Sequence, residues 1–250
     1  MTNYQLQIKS FVFGPFQTNC YVITNYQSHP SILLIDPACA YESEQQQLLT
    51  YIENQKSKIT NHQLPITIVA THGHLDHLWG AAWACQQWQT PVLMHEADIP
   101  MAKAMQAQYD LFGIPATPAP FPIKPLHTSQ SPITNHQSPI TNPQSPIPPF
   151  RGEQGGRILS TPGHTPGSVC FYFPKSPITN HQSPMTNHQS PILFSGDTLF
   201  KMGYGRTDLP GGNYSQLMDS LDLLLALPPE TVVYPGHGAP TTIAAELTLI

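Results

Sequence analysis

Five histidines and two aspartates stand on four short glycine-containing motifs, and each motif directly follows a predicted strand. The motifs read THGHLDH, TPGHTPGS, SGDTLF and PGHG. Because sheet enzymes gather site residues on the loops at strand ends, we expect these side chains to meet in one place. Imidazole and carboxylate groups are ligands of zinc, iron and manganese in proteins. The pattern therefore predicts a metal centre built from His72, His74, Asp76, His77, His164, Asp197 and His237.

The spacing within the first motif favours two positions for metal. His72 and His74 are two residues apart on an extended turn, so both side chains can point the same way. Asp76 and His77 are adjacent at the start of a predicted helix and can point to a second position. A coincidental set of structural histidines is the alternative, and the presence of seven such residues argues against it. Ordinary, non-ligating roles are predicted for His95 and His127.

Short strands and helices that alternate along the chain must position these residues. Apolar runs and polar–apolar alternation predict strands over 5–13, 20–24, 31–35, 66–70, 91–94, 156–160, 169–173, 192–194 and 231–234. Apolar periodicity predicts helices over 42–53, 76–88, 95–108 and 213–227. Because strands and helices interleave in both halves of the chain, we predict an α/β layered fold.

Composition limits the classes of protein to which this chain can belong. It has 250 residues, of which 40% are hydrophobic, and we expect one domain over 1–250. Its net charge of −5 provides no basic surface for nucleic acid or an anionic membrane. We expect neither a secretory signal nor a membrane span. A cytoplasmic protein with reduced, buried thiols is predicted from the scattered cysteines, Cys20, Cys39, Cys85 and Cys170.

A seven-residue unit, SPITNHQ, recurs in two stretches that interrupt this pattern, at 124–150 and 174–191. Its regularly spaced prolines oppose a long helix or a central strand, so we interpret both stretches as polar insertion loops. The repeat histidines are either a metal-binding tract or filler that came with the repeat, namely His136, His181 and His188. We favour filler, because Pro143 replaces the histidine in one tandem copy.

Together, the four motifs resemble the metallo-β-lactamase-fold hydrolases and are most similar to their glyoxalase II-like branch, the hydroxyacylglutathione hydrolases. GRTDLPGG at 205–212 and NCY at 19–21 are also similar to that branch. The resemblance implies an αββα sandwich that holds two divalent metal ions, with zinc expected and iron or manganese as alternatives. The ligands that it implies are His72, His74 and His164 for one metal, Asp76, His77 and His237 for the other, and Asp197 as a bridge.

The resemblance also implies hydrolysis of a small-molecule thioester, such as a hydroxyacylglutathione, by a hydroxide that bridges the metals. Asp76 is then the catalytic residue, because it orients that hydroxide besides binding metal. Two alternatives stay open: a single-iron persulfide dioxygenase-like enzyme, and a repeat-invaded relic or binding scaffold without catalysis. Within GRTDLPGG, Arg206 and Asp208 are either a pair that supports the site or part of a connector, and we favour a structural role.

Overall fold

Two β-sheets stacked face to face form the centre of the protein, and helices cover both outer faces. The computed structural model describes residues 6–26, 30–58, 64–126, 156–174, 178–179 and 190–248. Apolar side chains from both sheets form the central layer, and a separate apolar cluster lies between each sheet and its helices. This arrangement confirms the predicted αββα sandwich of α/β class.

The first sheet has seven strands: β1 (Leu6–Phe13), β2 (Thr18–Asn25), β3 (Ser31–Ile35), β4 (Ile66–Val69), β5 (Val92–His95), β6 (Ile123–Leu126) and β9 (Ile178–Thr179). They lie in the order β6-β5-β4-β3-β2-β1-β9. Strands β3 to β6 are parallel, whereas β2 is antiparallel to both of its neighbours. The parallel strands therefore all point their carboxyl ends to one edge.

The second sheet has five strands: β7 (Arg157–Ser160), β8 (Val169–Phe173), β10 (Ile192–Gly196), β13 (Val232–Pro235) and β14 (Thr241–Thr242). Their order is β14-β13-β10-β8-β7, with β10 parallel to β13 and antiparallel to β8. Because β7 is also antiparallel to β8, β7, β10 and β13 run the same way. A small hairpin of β11 (Leu199–Phe200) and β12 (Gly203–Tyr204) follows β10.

The helices are α1 (Glu42–Lys56), α2 (Ala81–Trp88), α3 (Ile99–Lys103), α4 (Met105–Leu111), α5 (Tyr214–Leu225) and α6 (Ile243–Glu246). A 3-10 turn, Glu96–Asp98, precedes α3. Helices α1 to α4 pack on the first sheet, and α5 and α6 pack on the second. None of the helices in the described parts of the chain has both the length and the apolarity needed to cross a bilayer.

Burial of both faces of each sheet explains why short apolar runs form these strands. In β3, Ile32 and Leu34 face the helices, whereas Leu33 and Ile35 face the second sheet. Successive side chains of a strand point to opposite faces, so a strand covered on both sides needs an unbroken apolar run. The sequence SILLI meets that need, and its predicted bounds are confirmed.

Two predicted helices differ from the structure. The helix predicted over 76–88 begins only at Ala81, because residues 75–80 form turns that end with Gly80 N–H donating to Pro37 O at 2.8 Å. The helix predicted over 95–108 is divided into the 3-10 turn, α3 and α4, with a break at Ala104. Asp76 and His77 therefore lie on a turn and not on a helix.

The two predicted insertion loops lie mostly outside the described residues. Strand β6 occupies 123–126, so the first stretch starts within a strand and not at its end. The second stretch joins β8 to β10, which pair antiparallel and so form a hairpin. Strand β9 lies within this second stretch and pairs with β1. The repeat histidines and His127 lie outside the described residues.

Candidate metal centre

All four ligand motifs lie at the carboxyl ends of parallel strands, where the two sheets meet. THGHLDH follows β4 in the first sheet, and the turn with His164 follows β7 in the second. Asp197 directly follows β10, and His237 is the second residue after β13. The structure brings all seven predicted residues together in three overlapping groups whose ligand atoms lie within 4.8 Å of one another.

Three imidazoles form the first set, which consists of His72, His74 and His164. The Nε2 atom of His72 lies 3.1 Å from Nδ1 of His74, which lies 2.9 Å from Nε2 of His164. Their rings are nearly perpendicular in each pair, with interplanar angles between 79° and 86°. Three ring nitrogens therefore converge on one point, as in a three-histidine metal site.

A carboxylate and two imidazoles form the second set, which consists of Asp76, His77 and His237. Oδ2 of Asp76 lies 3.4 Å from Nε2 of His77 and 3.2 Å from Nε2 of His237. The side chain of His77 is 0% exposed, whereas those of Asp76 and His237 are 16% and 29% exposed. The open side of the centre is therefore on the second set.

Asp197 lies between the two sets. Its Oδ1 is 3.3 Å from Nε2 of His77, and its Oδ2 is 3.6 Å from Nε2 of His164 and 3.5 Å from Nε2 of His237. One carboxylate thus faces ligands of both sets. This position suits a bridging ligand.

Hydrogen bonds at the far ring nitrogens orient four of the five imidazoles. His164 Nδ1–H donates to Arg206 O at 2.7 Å, and His237 Nδ1–H donates to Phe16 O at 3.1 Å. Such partners fix the orientation of the ring, so Nε2 of each imidazole points into the centre. The GRTDLPGG segment contacts the site through the backbone oxygen of Arg206, which accepts from His164. The side chains of Arg206 and Asp208 pair with each other at the exposed surface.

Asp36 orients the other two imidazoles. His77 Nδ1–H donates to Asp36 Oδ2 at 2.9 Å. Thr71 Oγ1 donates to the same carboxylate at 2.8 Å and can therefore accept from His72 Nδ1–H, 3.0 Å away. Sequence reasoning missed this aspartate, although it directly follows a buried strand and the ligand motifs also follow strands.

The NCY motif holds the loop that carries His237. Asn19 Nδ2 donates to Pro235 O and to Gly238 O, both at 2.9 Å, and Tyr21 OH donates to Pro235 O at 2.6 Å. Gly236 is required in this loop, because a Cβ atom there would lie 2.1 Å from Asp197 Oδ1. The motif thus contributes support and no ligand.

Two buried atoms test whether these residues fit a metal. His77 Nε2 and Asp197 Oδ1 are both buried, and neither makes a hydrogen bond of normal geometry. Burying polar atoms without partners is costly, so they need a further partner between them. A divalent cation is such a partner, because imidazole nitrogen and carboxylate oxygen are its ligands. The residues present therefore fit a metal.

The electrostatics of the two sets differ. Burial lowers the pKa of His72 well below its usual range, and His77 lowers it further. Burial and His164 lower the pKa of His74 to about 4. These two imidazoles are therefore neutral at neutral pH, which is the form that binds metal.

The second set is charged in the absence of metal. Burial alone would lower the pKa of His77, but Asp76, Asp197 and Asp36 raise it well above its usual range. Burial likewise opposes the charge on His237, but Asp197 and Asp76 raise its pKa to about 9. Both histidines are therefore protonated at neutral pH and balance the two carboxylates that face them.

The remaining predicted residues lie outside the centre. His95 is buried and accepts a hydrogen bond from Ala97 N–H at 3.2 Å, in agreement with an ordinary structural role. Cys170 is in the core, where its Sγ donates to Ser195 O at 3.4 Å. All four cysteines are buried and form no disulfide.

Comparison with known proteins agrees with this geometry. The family model of the metallo-β-lactamase superfamily matches residues 13–179 and 185–237. Hydroxyacylglutathione hydrolase GloC of Haemophilus influenzae is 30% identical over 233 residues, which are 92% of this chain and 90% of that protein. The match places the ligand motifs inside a known family of metal-dependent proteins.

Two solved structures extend the comparison. TTHA1623 in a di-iron-bound form has a TM-score of 0.68 and 31% identity, and the match covers 95% of this chain and 96% of that one. The B3 metallo-β-lactamase BLEG-1 has a TM-score of 0.70 and 28% identity, with 96% of each chain covered. Fold, ligand geometry and family model agree, and the chain belongs to the metallo-β-lactamase superfamily.

Proposed function

We propose that the protein is a hydrolase that binds two divalent cations and cleaves thioesters of the hydroxyacylglutathione type. The observation that carries this proposal is the pairing of two three-residue ligand sets with Asp197 between them. Two-metal hydrolysis requires a paired site of this kind. The similarity to GloC supports a thioester as the substrate class.

Asp76 is the residue that would orient the attacking water. Its Oδ2 atom accepts a hydrogen bond from Thr18 Oγ1 at 2.8 Å, which fixes the carboxylate. Burial alone would raise the pKa of Asp76, but His77 and His237 lower it to about 2. The carboxylate is therefore ionised at neutral pH and is a hydrogen-bond acceptor for water more than a base.

Substrate would approach from the side of Asp76 and His237, the more exposed ligands. When bound, two divalent cations would polarise the thioester carbonyl and lower the pKa of a shared water. The chain itself contributes the position of the water, through Asp76, and the exclusion of bulk solvent, through the buried first set. This division of roles requires no serine or cysteine nucleophile.

Elemental analysis of the purified protein, together with hydrolysis of S-lactoylglutathione, tests the proposal. We expect about two metal ions per chain and thioester turnover that a chelator abolishes and added metal restores. A chromogenic β-lactam assayed in parallel separates the two substrate classes.

Each other result has a distinct meaning. Turnover of the β-lactam without turnover of the thioester would contradict the substrate class. A single iron with oxygen uptake and no thioester turnover would favour the persulfide dioxygenase-like alternative. A chain without tightly bound metal would overturn the proposal and favour a relic or scaffold.

A further inference from the structure

Asp98 is a buried carboxylate that joins two turns of the metal centre without being one of the seven ligands. Its Oδ2 atom accepts hydrogen bonds from Gly73 N–H at 2.8 Å and from Thr165 Oγ1 at 2.6 Å. Its Oδ1 atom accepts from Gly167 N–H at 2.6 Å. Both oxygens are thus engaged, and no part of Asp98 is exposed to solvent.

The three donors belong to the two turns that carry the first ligand set. Gly73 lies between two ligands of that set, and Thr165 directly follows the third. One turn follows β4 and the other follows β7, so the strands at their bases lie in different sheets. The three hydrogen bonds of Asp98 hold the two turns together. A backbone hydrogen bond from Val169 N–H to Thr71 O, at 2.9 Å, also joins the two sheets near these turns.

The contact between Asp98 and the second of these turns is close. A Cβ atom at Gly167 would lie 2.7 Å from Cγ and Oδ1 of Asp98, so only glycine allows the backbone to approach this far. Oγ1 of Thr165 is also 2.7 Å from Ser168 Oγ. This second contact holds the Thr165 hydroxyl in the orientation that faces the Asp98 carboxylate. The geometry is therefore that of a fixed connection between the turns.

Two other buried carboxylates show what distinguishes Asp98. Asp36 bonds directly to the ligand His77. Glu246 accepts hydrogen bonds from Met202 N–H at 2.8 Å and from Thr241 Oγ1 at 2.5 Å, and neither donor is on a ligand turn. Asp98 differs from both. Its hydrogen bonds go to the ligand turns, and among the described residues none of them goes to a ligand side chain.

We propose that Asp98 is a positioning residue for the first metal position. It sets the separation between the His72–His74 turn and His164, and thereby the affinity of that position for a divalent cation. The inference rests on the proposed function, because it requires the first set to bind metal. Removing partners that support metal ligands typically weakens metal binding about 10- to 100-fold.

The test is a zinc titration of the metal-free Asp98→Asn variant in competition with a chromophoric chelator. Asparagine keeps the shape of the side chain but replaces one acceptor oxygen with an NH₂ group, so at least one bond to a turn is lost. We expect one of the two metal equivalents to bind about 10- to 100-fold more weakly, with the other unchanged. A cobalt titration followed by absorption identifies the weakened equivalent as the three-histidine position.

Glu246→Gln is the matched control. It changes a buried carboxylate that also accepts one backbone N–H and one hydroxyl, but away from the ligand turns. We expect it to lower the melting temperature without changing the affinity for either metal equivalent. Wild-type affinity for both equivalents in Asp98→Asn, or equal weakening of both, would overturn the inference.

Two further measurements keep the inference testable if Asp98→Asn folds poorly or binds no metal. Thr165→Val removes a single bond to Asp98 and should weaken the same equivalent by a smaller factor. In the metal-free Asp98→Asn variant, the amides of Gly73 and Gly167 should exchange faster with solvent than in the wild type, and unchanged exchange would contradict the inference. A wild-type chain that binds no metal would instead overturn the proposed function.

Discussion

The two ligand sets of the metal centre share Asp197 but are built from opposite electrostatics. The first set has three imidazoles, and burial lowers the pKa of His72 and of His74. The second set has a carboxylate and two imidazoles, and the facing carboxylates raise the pKa of His77 and of His237. In the metal-free protein, protons therefore balance the charge of the second set, whereas His72 and His74 are neutral.

This difference predicts that metal binding at the two positions releases different numbers of protons. A ligand must be deprotonated to bind a cation, so metal entering the second set must displace protons. His72 and His74 are already in the binding form at neutral pH. We therefore expect metal affinity to depend on pH more strongly at the second position than at the first.

Removing the residue that the sets share has the largest expected effect. In Asp197→Asn, both positions lose a negative ligand, and a neutral amide replaces the carboxylate between them. We expect turnover to fall at least about 10³-fold, because metal sites contribute several kcal/mol of transition-state stabilisation. Thioester turnover and metal content of the variant provide the measurement.

Asp208→Asn is the control for that substitution. It changes an exposed carboxylate that is paired with Arg206 on the surface and not with a ligand. We expect turnover and metal content close to those of the wild type. Two tightly bound metals in Asp197→Asn would show that this residue does not bridge the sets.

The pH dependence of metal binding has the next largest expected effect. Because the pKa of His237 is about 9 without metal, zinc competes with protons at every pH below that value. We expect affinity at the second position to fall up to about tenfold per pH unit, for each displaced proton, between pH 8 and pH 6. Protonation of His74 should weaken the first position only as the pH approaches 4.

Calorimetric zinc titrations at three pH values, each in two buffers of different ionisation enthalpy, count the protons released at each position. Release confined to one of the two equivalents would agree with the contrast between the sets. Equal release from both would contradict it, since both sets would then hold the same number of displaceable protons before metal binds.

Thr18→Val has the smallest expected effect. The Thr18 hydroxyl donates to Asp76 Oδ2, and no hydrogen bond from it to another ligand is seen in the described part of the chain. Loss of one such hydrogen bond costs about 1 kcal/mol, so we expect kcat to fall about fivefold. The measurement is steady-state thioester hydrolysis at saturating substrate.

Thr18→Ser retains the hydroxyl and should restore kcat, while metal content stays the same in both variants. If the serine variant is as slow as the valine variant, then packing of the threonine methyl group, and not the hydrogen bond, supports Asp76.

The strands of the sandwich are predictable because burial on both faces leaves clear apolar runs. The bounds predicted for 31–35 and 169–173 agree with the structure for this reason. The start of helix α2 is not predictable in this way. Residues 75–80 have helix-compatible types, but a hydrogen bond from Gly80 to distant Pro37 holds them in turns.

The metal centre is also predictable in part. Each ligand motif contains a glycine and follows a strand, so local sequence reveals it. Its supports are hidden, because their partners are far away in sequence: Thr18 and Asp76 are 58 residues apart, and Asp98 and Gly167 are 69 apart. A single sequence does not display such long-range pairs, whereas Asp36 carries the same strand-end signal as the ligands and could have been found.

Because β8 and β10 pair antiparallel, the stretch that joins them begins and ends at the sheet edge opposite the metal centre. Asp197 follows the carboxyl end of β10, whereas the stretch between these strands leaves from Phe173 and returns at Ile192, at the opposite edge of the sheet. The described ends of this stretch therefore lie away from the metal centre. For protein engineering, this end of the hairpin is the natural attachment point for a fluorescent reporter or an affinity tag.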